Sequence, residues 1–213
     1  MYKKIGIISR EEKHFKQNYK VFNEEIIRVI NKYNSIPIGI IVDFENNSDI
    51  EFNKIKKIIN FCDGIILQGG DDFYEIDKKI VKYLYEKNIP TLGICLGMQT
   101  MCMALGGEMD TLKNLDHCKD DFYVHQININ KESKLYDIVK DQEIIVNSRH
   151  KDYIKHTNLS VGAISNDYVI EEVEDKNKKF FVGVQWHPET IFFDKNSILL
   201  FNDFFCTIKE TLV

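Results

Sequence analysis

The sequence predicts a single α/β domain, residues 1–213, with a mainly parallel central sheet flanked by helices. Three observations carry that prediction. Short apolar runs alternate with longer stretches whose apolar positions recur at helical spacing. Their order, strand then helix repeated through Leu105, builds βαβ units with right-handed crossovers. No linker, repeat or low-complexity segment divides the 213 residues.

Each element follows from its own pattern. Lys4 to Ser9 carries the apolar core IGII, short enough for a buried strand. Phe22, Ile26, Val29, Ile30 and Tyr33 define one face of a helix. Beyond Pro37, Ile38 to Val42 reads as a second strand. Ser48 and Glu51 stand in the S-x-x-E capping pattern ahead of the helical stripe Ile55, Ile58, Ile59 and Cys62. Gly64 to Leu67 is a third strand, backed by a helix through Phe73, Ile76, Ile80 and Leu84. Thr91 to Ile94 is a fourth, and the helix after it carries Met98, Met101, Cys102 and Leu105.

Past Gly107 the pattern changes to short strands: Phe122 to Asn130, Glu143 to Asn147, Ser160 to Ile164, Val169 to Val173 and Phe180 to Val184. The turn Glu174-Asp175-Lys176-Asn177 joins the last two as a hairpin. A final helix packs Ile198, Phe201, Phe204, Phe205, Ile208 and Leu212 on the sheet.

Composition excludes several classes. Hydrophobic residues make up 44% and charged residues 29%, an ordinary globular balance that opposes disorder. A net charge of −5 gives neither a basic surface for nucleic acid nor a polybasic patch for a membrane. No apolar stretch approaches the ~20 residues that span a bilayer, and Ile5 to Ile8 is too short for a signal-peptide core. The five cysteines, Cys62, Cys95, Cys102, Cys118 and Cys206, contain no CxxC pair. An odd set of free thiols fits a reducing, cytoplasmic setting better than a disulfide framework.

Among those thiols Cys95 stands apart. Gly93-Ile94-Cys95-Leu96-Gly97 has the G-x-nucleophile-x-G form of a sharp strand-to-helix turn. Such a turn strains the backbone of its central residue, and flanking glycines remove side chains that would collide. It also sets the sulfur at a helix N-terminus, where dipole and free N–H groups favour thiolate over thiol. A small buried cysteine is the usual reading of an isolated Cys, but two glycines at these offsets reverse it.

A second motif, Gln185-Trp186-His187-Pro188-Glu189, follows the apolar strand ending at Val184. The carboxylate of Glu189, two residues on across a proline of fixed φ, can turn back to hold one imidazole nitrogen of His187. The other nitrogen then faces a nucleophile, which is the Cys–His–acid logic of acyl transfer. A third motif, Gln68-Gly69-Gly70-Asp71, closes the third strand with backbone N–H groups that can point at a developing oxyanion together with that of Leu96. It is no phosphate loop, because neither GxGxxG nor GxxxxGK[ST] occurs.

GICLGMQ, LQGGDD and GVQWHPE, in this order, resemble the class I glutamine amidotransferase-like superfamily over nearly the whole chain, Lys3 to Phe205. VNSRH (Val146 to His150) and the tryptophan of VGVQWHPE resemble the peptidase C26 branch, which contains γ-glutamyl hydrolases acting on compounds such as γ-glutamyl-γ-aminobutyrate. The resemblance implies a flavodoxin-like class I glutamine amidotransferase fold. It implies Cys95 as nucleophile, His187 as base, Glu189 as its orienter, and the N–H groups of Gly70 and Leu96 as oxyanion hole. Gly69, Gln99, Ser148 and His150 would line the substrate pocket. Leu96 stands where the branch usually has arginine, Asp152 where it has glutamine, and Asn166-Asp167-Tyr168 where an Asp-Gly pair is usual; Asp71 to Pro90 is short.

The expectation is therefore a hydrolase of γ-glutamyl amides working through a γ-glutamyl thioester, with no cofactor and no metal. The alternative is a glutaminase subunit that supplies ammonia to a separate synthase. A small γ-glutamyl substrate is the expected partner, with a homodimer or, in the alternative, a synthase subunit beside it; nucleic acid and membrane are not expected. His117, Cys118 and His125 fit no zinc spacing and read as packing or surface residues.

Overall fold

In the computed structural model, which describes residues 2–114 and 116–210, the first half alternates strands and helices. The order is β1 (Lys4–Ile8), β2 (Arg10–His14), β3 (Gln17–Val21), α1 (Glu24–Lys32), β4 (Ile36–Ile40), α2 (Asp49–Ile59), β5 (Gly64–Leu67), α3 (Glu75–Glu86), β6 (Thr91–Ile94) and α4 (Leu96–Ala104). The second half runs β7 (Glu108–Thr111), β8 (His125–Ile129), α5 (Lys134–Val139), β9 (Glu143–Val146), β10 (Asp152–His156), β11 (Ser160–Ser165), β12 (Ile170–Glu174), β13 (Phe181–Val184) and α6 (Lys195–Glu210).

Strands that are apolar on both faces need cover on both sides. β5, β6 and β13 are buried at every residue. They lie inside a nine-stranded sheet of order β4-β1-β5-β6-β13-β12-β11-β8-β9. The first five of these strands pair parallel, and from β13 onward the pairing is antiparallel. On one face Ile7, Ile66, Leu92 and Val184 pack with Ile26, Val29 and Ile30 of α1 and with Phe201, Phe204 and Phe205 of α6. On the other, Ile65, Leu67 and Phe181 meet Ile55 of α2, Ile80 of α3 and Met98 of α4. Tyr33 stacks on Phe205 with ring centroids 4.2 Å apart, and Phe180 meets Phe204 edge-on at 5.2 Å. Each buried phenylalanine contributes roughly 1.5–3 kcal/mol, so α6 is held by its aromatic stripe.

Local signals set the helix starts. Ser48 caps α2 by accepting from the Glu51 N–H at 3.2 Å, as the S-x-x-E pattern predicts. Asn23 caps α1, its Oδ1 accepting from the Glu25 N–H at 2.8 Å.

The second strand begins at Ile36, two residues ahead of the expected Ile38, and takes in Pro37, which faces Ile5 across the pair. A proline is tolerated there because β4 is an edge strand and needs no N–H on its open side. The 122–130 strand starts only at His125. The β12–β13 hairpin forms as expected. Two small sheets were not visible in the hydrophobic pattern: the charged hairpin β2–β3 and the pair β10–β7. Both lie off the main sheet, so their residues need not alternate apolar and polar. α5, six residues long, is also new; it is anchored by Ser133 at its N-cap and by Glu174, which accepts from the Lys134 N–H.

Candidate active site

Cys95 sits between the end of β6 and the start of α4 with φ 53° and ψ −110°. That left-handed region is costly for a side chain with a Cβ, so the surroundings must impose it. They do so through close packing. A Cβ on Gly97 would fall on the carbonyl of Leu67, and one on Gly93 would stand 2.8 Å from the Gly97 carbonyl carbon and 2.9 Å from the Met98 nitrogen. Both glycines are there because α4 presses against β5 and folds back on β6. The Cys95 N–H donates to the Val184 carbonyl at 2.8 Å, and the residue is 7% exposed. Leu96 opens α4, so its N–H is among those without a partner inside the helix.

β13 runs parallel to β6 in the register Gly93↔Gly183 and Ile94↔Val184. The residues that follow each strand therefore emerge side by side. Gln185 places its Nε2 3.6 Å from the Cys95 sulfur. Two residues on, His187 Nδ1 is 2.8 Å from Glu189 Oε1. Gly69 lies against both groups: a Cβ there would be 3.0 Å from His187 Cε1 and 3.6 Å from Cys95 Cβ. Burial opposes charge on His187, but the Glu189 carboxylate and the Cys95 sulfur, each bonded to the ring, raise its pKa from 6.5 to about 10. Both neighbours thus favour the protonated ring.

Two asparagines to which the sequence reading gave no role fix this pair. Asn147, fully buried after β9, accepts from the His187 N–H at 2.8 Å and donates to the His187 carbonyl at 2.9 Å and to Thr190 Oγ1 at 2.7 Å. Asn23 donates to Glu189 Oε1 at 3.2 Å. Gln68 then ties three segments together, accepting from the Asn23 N–H and donating to the carbonyls of Ile8 and Val21. Asn147 lies in the VNSRH segment, where only Ser148 and His150 were given a role, and Asn23 belongs to no motif.

Two cavities meet at Cys95. The larger, about 470 Å³, is lined by Arg10, Asn23, Gly69, Gly70 and His187; the smaller, about 130 Å³, by Gln99, Cys118, His150 and Asp152; Gly70, Asp71, Cys95 and Arg149 border both. Gly69, Gly70, Gln99 and His150 thus surround Cys95. Gln99 is committed within the protein, its Nε2 donating to the Asp152 carbonyl at 2.8 Å and to Gln185 Oε1 at 3.1 Å. Ser148 borders neither cavity: its hydroxyl donates to the His117 carbonyl at 2.7 Å.

Arg10 comes from the unforeseen hairpin. It is 3% exposed, and its NH1 donates to both oxygens of Asp77 at 3.0 Å. Its Nε and NH2 are buried with no acceptor among the described residues. Beside the smaller cavity the fold also gathers His117, His125, His150 and Glu171, which the sequence spacing left apart.

A sheet of this topology, with a strained cysteine at one parallel strand end and a His–Glu pair at the next, defines a class I glutamine amidotransferase-like protein. The chain belongs to the peptidase C26 family, whose model matches residues 72–189. Over 131 residues, 60% of the chain, it is 38% identical to the glutamine-hydrolyzing GMP synthase of Francisella tularensis, and 38% identical over the same length to that of Francisella philomiragia. The matched segment spans 24% of those curated relatives. Among solved structures, a GMP synthase subunit-like protein from Thermoplasma acidophilum superposes with a TM-score of 0.73 at 18% identity, covering 99% of this chain and 96% of that one. The glutaminase domain of Trypanosoma brucei CTPS gives 0.70 at 18% identity, over 97% and 94%. Among the described residues no helix is long and apolar enough to cross a membrane.

Proposed function

We propose that this chain hydrolyses γ-glutamyl amides whose leaving amine is larger than ammonia, of the γ-glutamyl-γ-aminobutyrate type. The observation that carries the reading is the pair of unequal cavities meeting at Cys95. The smaller takes the glutamyl group. The larger, too roomy for ammonia alone, takes the amine portion.

In this reading Cys95 attacks the γ-carbonyl, and a C–S bond forms while the carbonyl oxygen gains charge beside the N–H groups of Gly70 and Leu96. The C–N bond breaks as His187 passes its proton to the departing amine. Water then attacks the thioester, His187 takes the water proton, and the sulfur leaves as glutamate is released. Glu189 keeps the ring oriented through both transfers.

A second reading is favoured by one observation, the likeness to GMP synthases noted above. There the amide is glutamine and the open cavity is a docking face for a synthase. The two separate on one panel. Glutamate release is measured from glutamine and from γ-glutamyl amides of increasing size, against Cys95→Ala. The hydrolase reading expects turnover of γ-glutamyl amino acids by the chain alone, and background release by the variant. Activity confined to glutamine, rising only when a synthase is added, overturns it in favour of the second.

A further inference from the structure

Glu171 is fully buried on β12, and the groups facing its carboxylate are imidazoles. Three imidazoles surround it. His125 Nε2 lies 3.1 Å from Glu171 Oε1, His117 Nδ1 3.4 Å and His150 Nε2 3.8 Å. His117 Nδ1 and His150 Nε2 are themselves 3.2 Å apart.

The outer nitrogens fix which lone pairs point inward. His117 Nε2 is 2.9 Å from Asp167 Oδ2, and His150 Nδ1 is 3.0 Å from the Asp152 carbonyl. Carboxylates and carbonyls only accept, so those nitrogens carry the protons. With both rings neutral, His117 Nδ1 and His150 Nε2 then present lone pairs to each other and to an anionic carboxylate. Such an arrangement repels itself unless a positive centre sits among the donors. Both ring nitrogens of His125 are buried as well, with Nε2 against the Glu171 carboxylate.

We propose that His117, His125 and Glu171, with His150 closing the fourth position, bind one divalent transition cation of the zinc class. The donor atoms of the first three all lie within 4.8 Å of one another. Tetrahedral bonds of about 2.0–2.1 Å place neighbouring donors about 3.3–3.4 Å apart, close to the 3.1, 3.2 and 3.4 Å separations present, with His150 Nε2 and Glu171 Oε1 wider at 3.8 Å. Two imidazoles and a carboxylate are the donor set that suits zinc rather than calcium or magnesium. Asp167 and the Asp152 carbonyl supply the outer bonds that orient metal-bound histidines. The ion would be structural: it ties the 117 loop, β8, β12 and the 150 loop together behind the wall of the smaller cavity, where His150 is shared. Glu171 is also joined to the catalytic strand end, since the Gln185 N–H donates to its carbonyl at 2.8 Å.

The site is tested on the untagged full chain, stripped with chelator and titrated with Co²⁺ and Zn²⁺. The expected result is one equivalent of Co²⁺ with the intense visible ligand-field bands of tetrahedral coordination, no sulfur-to-metal charge-transfer band, and displacement by Zn²⁺. Cys95→Ala must keep this spectrum, which separates the site from the thiol. His125→Gln, at a partly exposed position, is expected to lose it, and Asp167→Asn to weaken uptake about 10–100-fold. Circular dichroism of each variant checks the fold. No stoichiometric uptake by the wild type would mean that a proton, not a metal, holds the cluster together, and the proposal fails. Uptake unchanged in His125→Gln places the metal elsewhere and overturns it equally.

Discussion

Replacing Glu189 by glutamine removes one charge from the site while keeping the shape of the side chain. The rise of the His187 pKa from 6.5 to about 10 corresponds to roughly 5 kcal/mol of preference for the protonated ring, at 1.36 kcal/mol per unit. That is the net of burial, which lowers the value, and of Glu189 and Cys95, which raise it. Of the raising causes the Glu189 charge comes first, at a contact of 2.8 Å with 0% exposure. An opposite charge so placed is worth about 1–3 pKa units. Burial would then act with less opposition, so Glu189→Gln should lower the His187 pKa by about 2 units. ¹⁵N-edited NMR of the labelled imidazole reads this directly, and the alkaline limb of kcat/KM for glutamate release should move to lower pH with it. Stability changes with the same sign. A folded-state value above 6.5 stabilises fully below pH 6.5, and that contribution is lost as pH climbs toward 10. The variant should therefore show a smaller loss of stability between neutral and alkaline pH. A His187 titration unchanged by the substitution would refute the pairing as the origin of the shift.

Asn147→Ala should lower stability by about 2–5 kcal/mol in urea unfolding, because it strips partners from the buried N–H and carbonyl of His187. It should also cut kcat by more than it raises KM. Gly97→Ala should unfold the chain or destabilise it by at least ~3 kcal/mol, since its Cβ would land on backbone rather than on a side chain that can turn away. Arg10→Met should cost about 3–5 kcal/mol by leaving Asp77 unpaired, 2% exposed, where burial already pushes its pKa up. Thiol mapping by mass spectrometry with an electrophilic glutamine analogue should modify Cys95 at neutral pH and leave Cys102 intact. Burial excludes Cys102 from solvent and pushes its thiol up to about 12.

Sequence periodicity reached the elements that must be buried on both faces. β5 and β6 begin and end where their apolar runs do, because four consecutive buried positions leave no other reading. Cys95, His187 and Glu189 were legible because each belongs to a motif confined to one strand end. Asn23, Asn147 and Arg10 were not. Each acts across the fold through contacts that no local pattern encodes, and Arg10 rides on a hairpin whose charged residues give no apolar alternation. The spacing rules that dismissed His117 and His125 hold for ligands on one local unit. Their partner Glu171 comes from β12, two positions away from β8 in the sheet, with β11 between them.

The strand that unites these features is β13. It pairs parallel with β6 on one side and antiparallel with β12 on the other. The parallel side delivers Gln185 and His187 to Cys95, since parallel neighbours end at the same edge of the sheet. From the antiparallel side, the chain leaving β12 toward β13 runs away from that edge, while Glu171, near the start of β12, stays at it and meets Gln185 through its carbonyl. One face of this junction thus holds a thiol with its imidazole, and the next strand over carries the carboxylate that three imidazoles surround. Movement of β12 relative to β13 would shift Gln185 against the Cys95 sulfur. A cation that fixes Glu171 to His117 and His125 would therefore set the geometry of the edge that carries Cys95 and His187 from a distance. On that argument, stripping the metal should raise KM for γ-glutamyl amides in the wild type, and in His125→Gln metal removal should change nothing further.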